Sequence, residues 1–164
     1  MVNIKILFII LTFLGMSGFS FSQELKEPAD FLPADFHQDR RALLREKMPK
    51  KSVAVFFANP VRNRANDVDY IYHQDPDFYY LTGYREPHAV LLIFKDMQQT
   101  RNGNQYNELI FVQPKNPFAE QWTGERLGAE GVRDQLKFED AFANKDFGAY
   151  EIDFASFDQV LFYD

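Results

Sequence analysis

The chain has 164 residues, 46% of them hydrophobic and 16% aromatic, enough for one ordinary domain with a real core, which excludes a disordered or low-complexity protein beyond the N-terminus. A net charge of −6 and a pI near 5.1 exclude a generally basic nucleic-acid-binding face. The absence of cysteine excludes disulfides, thiol catalysis and thiolate-held metals, so any metal would need His and carboxylate ligands.

Residues 1–22, "MVNIKILFIILTFLGMSGFSFS", read as an export signal: Lys5 supplies the positive end, Ile6 to Leu14 the apolar run, and Ser20 and Ser22 the small residues before a cut ahead of Gln23. The apolar run falls short of the roughly 20 residues a membrane span needs, so contact with the membrane is expected to be transient and the destination periplasmic or extracellular. A retained N-terminal anchor is the alternative. Residues 23–35 carry two prolines and several acids, an extended lead-in to a domain over 36–164.

"DFHQDRRALLREKMP" predicts a helix, capped by Asp35, with an apolar stripe of Phe36, Leu43, Leu44 and Met48 and a stop at Pro49. Its basic residues, like those of "NPVRNR", are flanked by acids and read as solvated surface. "SVAVFFA" suits a strand buried on both faces, and "NPVRNRANDVD" a polar loop. "FYYLTGY" reads as a second strand interrupted by Gly83, and "EPHAVLLIFKD" as a proline turn leading into a strong strand. "NGN" marks a hairpin before the returning strand "ELIFVQP". A short helix is expected near "AEGVRDQL", helix or irregular chain over "EDAFANKDFGAYEIDFASF", and a last strand at "DQVLFYD". Together these predict an α/β domain with a mixed sheet flanked by helices.

No self-contained active site emerges. His37, His73 and His88 show no HExxH spacing, and scattered surface or hydrogen-bonded core histidines are the simpler reading. Asp67, Asp69, Asp75 and Asp77 alternate as in a calcium loop, but Tyr72 and Phe78 stand where that loop needs its glycine and final glutamate. Ser52 and Ser156 lack a G-x-S-x-G setting, Thr82 and Thr123 lack a local basic partner, and "GERLGAEG" lacks the P-loop lysine.

The stretch "YHQDPDFYYLTGYREPHAVLLIF" resembles the signature of the aminopeptidase P (Xaa-Pro aminopeptidase) N-terminal domain. "FHQDRRALLREKMPKKSVAVFFANPVRNRANDVDY" resembles that family's opening helix, first strand and loop, and "ELIFVQPKNPFAEQWTGERLGAEGV" its later strand and tryptophan-glycine-arginine segment. The likeness runs from about His37 to Val132 and implies a ribonuclease H-like three-layer fold. It also implies a role: the oligomerising, substrate-gating domain of an enzyme that releases the N-terminal residue preceding proline. In that family a separate pita-bread domain holds two metal ions, typically manganese, and none of its ligands can be assigned to this chain; the catalytic half is expected to be missing and the fragment inactive. Proline-containing peptides would be the substrates, and a homodimer or homotetramer the assembly. By the same resemblance Trp122 would face substrate, against the alternative of a plain core tryptophan, and Arg126 would pair across an interface. His73 stands where many relatives carry arginine, so an ion pair formed there would become pH-sensitive. The competing reading is a stand-alone exported peptide- or protein-binding module without catalysis. A creatinase-like amidinohydrolase shares the architecture but fits these motifs less well.

Overall fold

The computed structural model describes residues 31–100 and 102–162; the expected export signal and the lead-in up to residue 30 lie outside them. Helix α1 (Ala34–Lys47) begins after Pro33, not Asp35. Asp35 sits in the first turn, where a carboxylate complements the helix dipole, and it pairs with the Lys137 ammonium. At the other end, Lys95 Nζ donates to the carbonyls of Arg45 and Glu46, each at 2.9 Å, so a cation satisfies the last turn. The expected apolar stripe is only partly correct: Met48 is buried and Leu44 half-buried, but Leu43 is exposed. His37 and Arg41 take the inward positions instead, in step with Leu44 and Met48 along the same helix face.

Strand β1 (Ser52–Phe57) follows, buried from Ser52 to Val55 as its sequence predicts. The expected polar loop contains a small antiparallel ribbon, β2 (Asn63–Ala65) with β3 (Val68–Asp69). The largest departure comes next. "FYYLTGY" is no strand: Pro76–Thr82 is helix α2. Asp75 caps it through a 2.8 Å bond from Phe78 N–H, Pro76 opens it, and Gly83 closes it at φ 70°. Those local signals outweigh the β preference of the rings.

Strands β4 (Val90–Gln99) and β5 (Gln105–Val112) form the predicted hairpin, with Leu91 opposite Ile110 and Val90 opposite Phe111. Helix α3 (Pro117–Thr123) and helix α4 (Gly128–Leu136) follow. The stretch expected to be helical or irregular begins with strand β6 (Ala141–Ala143) and continues as two short 3₁₀ turns, Asn144–Ala149 and Phe154–Ser156. Strand β7 (Gln159–Phe162) ends the described residues.

The strands make a mixed sheet in the order β6-β5-β4-β1-β7; β1 and β5 each pair antiparallel with β4 and parallel with an outer strand. Its two faces differ. One packs Ala54, Leu91, Ile93, Ile110 and Val112 against residues of α1, α2 and α4, among them Leu44, Phe78, Leu81 and Val132. The other packs Val55, Leu92, Phe94, Leu109 and Phe111 against Phe142, Phe147, Tyr150 and Phe157, an aromatic layer supplied by β6 and the segment between it and β7. Helices, sheet and aromatic layer form three tiers within the compact unit Leu32–Asp164.

Candidate functional site

The aromatic segment is built around one amide. Gln74 Oε1 accepts from the backbone N–H of Asn59 (3.1 Å) and of Asp75 (2.8 Å), while its Nε2 donates to the carbonyls of Tyr84 (3.2 Å) and Glu86 (2.9 Å). All four hydrogen-bonding positions of the side chain are used, so it joins the loop after β1 to both sides of α2. His37 closes the other side. Its Nδ1 lies 2.8 Å from the Tyr80 carbonyl, which can only accept, so the proton sits on Nδ1. A Cβ on Gly83 would stand 2.8 Å from His37 Cδ2, so glycine there serves both the left-handed turn and the close approach of the ring.

Tyr84 is buried, and its hydroxyl donates to Glu86 Oε2 at 2.9 Å. Burial first, then the Glu86 carboxylate, push its ionisation far above the ordinary tyrosine range. Burial, with Asp75 and Glu86 adding to it, pushes Tyr72 up to about 12. Both hydroxyls stay protonated and serve as donors.

Under this segment lies a group that sequence reading assigned to solvated surface. Arg41 is fully buried and binds Glu108 in two-pronged fashion, Nε to Oε2 and Nη2 to Oε1, both at 3.0 Å. Its Nη1 donates to the Leu81 carbonyl at 2.9 Å, and its guanidinium stacks 3.8 Å from the centre of the Phe138 ring. Arg45 adds a 2.7 Å bond to Glu108 Oε2. The available signal was the spacing of His37, Arg41 and Arg45 on one helix face, with Leu44 and Met48 beside them.

Helix α3 carries the residue assigned to substrate. Trp122 is 82% exposed and Phe118, one turn earlier, 76%, and α3 buries none of its residues. In this chain the Trp122 ring therefore lies at the surface. The helix is held by its own ends: Asn116 Oδ1 accepts from Phe118 and Ala119 N–H (3.1 Å each), and Glu120 returns the contact to Asn116 N–H at 2.5 Å. Arg126 is half-buried, with Nη1 donating to the Pro114 carbonyl of its own chain at 3.4 Å. His73 is exposed and is engaged through its carbonyl, which accepts from Asn59 Nδ2 at 3.0 Å. It borders an open cleft of about 520 Å³ shared with Arg62, Arg64, Tyr70 and Ile71. Among the described residues no group of three or more His, Asp or Glu side chains could hold a metal ion, so the dinuclear centre implied by the resemblance does not fit the residues described.

Known proteins resemble this chain in sequence and fold. The family described as "Aminopeptidase P, N-terminal domain" matches residues 37–159. The Xaa-Pro aminopeptidase of Haemophilus influenzae is 34% identical over 116 residues, 71% of this chain and 26% of that protein. The Escherichia coli Xaa-Pro aminopeptidase is 38% identical over 106 residues, covering 65% of this chain and 23% of the relative. The structure of Escherichia coli aminopeptidase P with the inhibitor Pro-Leu superposes with a TM-score of 0.67 at 30% identity, over 80% of this chain and 29% of that one. The chain thus spans about a quarter of the length of the relatives it matches. On residues 37–159 and on the mixed three-tiered sheet together, the chain belongs to the aminopeptidase P N-terminal domain family.

Proposed function

We propose that this chain serves as the supporting and substrate-gating lobe of an exported Xaa-Pro aminopeptidase. Hydrolysis would be carried out by polypeptide corresponding to the remaining three quarters of its relatives. Two metal ions, manganese in this reading, would sit in that other part. Trp122 would face the peptide, and Arg126 would lie near a contact between copies in a dimer or tetramer. The observation that carries the reading is the solvent position of Trp122 on a helix that buries nothing, within a chain matching the first part of aminopeptidase relatives. Phe118 and Trp122, one turn apart on the same exposed helix, form a paired apolar surface of the kind that marks a contact site.

The test is kinetic. This chain alone, supplied with Mn²⁺, releases no N-terminal residue from an Xaa-Pro peptide, whereas the chain joined to its catalytic half does. In the joined enzyme Trp122→Ala raises KM more than it lowers kcat. Turnover by the isolated chain overturns the division of labour, and unchanged kinetics of the variant return Trp122 to ordinary surface.

A further inference from the structure

Helix α3 lies within a closed excursion of the chain, and both feet of that excursion stand on the same dipeptide. At the entry, Gln113 Nε2 donates to the Pro87 carbonyl at 3.1 Å; at the exit, Leu127 N–H donates to Glu86 Oε1 at 2.6 Å. Arg126 ties exit to entry by its bond to the Pro114 carbonyl. Loops of this kind, with adjacent ends and little packing of their own, take their order from such ties. The second oxygen of Glu86 is occupied by the Tyr84 hydroxyl, and the Glu86 carbonyl by Gln74 Nε2. A carboxylate accepting two charge-assisted bonds in different directions is fixed in orientation.

We propose that Glu86 is a positioning residue for Trp122. The aromatic segment is the mount, its acid-proline step is the clamp, and the α3 excursion is what it holds. Glu86 acts at a distance, through its bond from Leu127 N–H at the exit of the excursion. This rests on the assignment of Trp122 to substrate, but the clamp itself is measurable without that assignment.

Trp122 is the sole tryptophan, so its emission reports on α3 alone. In the intact 164-residue chain, Glu86→Ala lowers the fluorescence anisotropy of Trp122 and speeds amide exchange across residues 118–123 by about ten-fold, the factor one ordinary hydrogen bond gives. Gln113→Ala, which frees the other foot and leaves Tyr84 and Glu86 intact, produces the same local loosening while exchange in β4 and β5 stays slow. Glu86→Gln retains an acceptor for Leu127 and largely restores order. In the joined enzyme Glu86→Ala then copies the KM effect of Trp122→Ala with kcat less affected. If both Glu86→Ala and Gln113→Ala leave Trp122 anisotropy unchanged, the clamp is wrong. If Trp122→Ala raises KM and Glu86→Ala does not, the positioning role falls while the gating role survives. If Trp122→Ala leaves KM unchanged, the gating role itself fails.

Discussion

Helices α2 and α3 are written in the same local code and end in opposite places. Each opens on an Asx cap and a proline, Asp75–Pro76 and Asn116–Pro117, and each closes on threonine and glycine, Thr82–Gly83 and Thr123–Gly124. In each the threonine hydroxyl donates to the carbonyl four residues back, Phe78 or Ala119. Each carries large rings. Yet α2 buries Phe78, Leu81 and Thr82 against the sheet and α1, while α3 buries nothing and shows Phe118 and Trp122 to solvent. Caps and turns are satisfied by groups a few residues away, so they build a helix wherever it falls; burial depends on what other segments bring to it. In this chain Phe78 of the aromatic signature is accordingly a core residue of α2, while Trp122 lies exposed on α3.

The sharpest way to break this comparison is to delete matching rings. Phe78→Ala should cost about 4 kcal/mol in denaturant unfolding, the usual loss for a buried phenylalanine, whereas Phe118→Ala and Trp122→Ala should stay within about 0.5 kcal/mol. Equal losses would mean that α3 is packed in solution. Next come the closing glycines. Gly83→Ala adds left-handed strain and a collision with His37, about 3 kcal/mol together, read as a lower unfolding midpoint. Gly124 also has positive φ, at 83°, but nothing lies within 4 Å of an added Cβ, so Gly124→Ala should fray α3 in hydrogen exchange and leave the global midpoint in place. The caps differ in the same sense with smaller size: Asp75→Ala should remove about 1 kcal/mol of global stability, and Asn116→Ala only local order.

The last effect appears only in alkali. Tyr72 holds its proton more tightly when folded, with its ionisation raised from 10.0 to about 12. Its contribution is therefore complete below pH 10 and is lost as pH climbs through that interval. Tyr72→Phe should flatten this part of the stability curve, followed by unfolding midpoints against pH; a slope equal to wild type would place the loss elsewhere, with Tyr84 the next candidate.

Much of the architecture was legible along the chain. The buried run of β1, the hairpin at "NGN", α4 and the last strand lie where their patterns put them. The reading of "FYYLTGY" as strand gave the aromatic residues' β preference too much weight and the Asp-Pro start and Thr-Gly end too little. β6 was hidden because it is three residues long and gains its identity only by pairing with β5. Arg41 was hidden for a related reason: its partner Glu108 lies 67 positions away, and a lone buried guanidinium is unfavourable until that carboxylate arrives.

By itself, the sequence determined the caps, the turns, the strand cores and the family likeness, since each is carried by neighbouring residues or by an ordered run of motifs. Tertiary structure alone decided which ring-bearing helix is enclosed and which is displayed, which arginine is interior, and that Glu86 and Pro87 hold both feet of the Trp122 excursion. Those outcomes depend on hydrogen bonds and packing between segments far apart in the chain, and local preference carries no record of who the distant partner is.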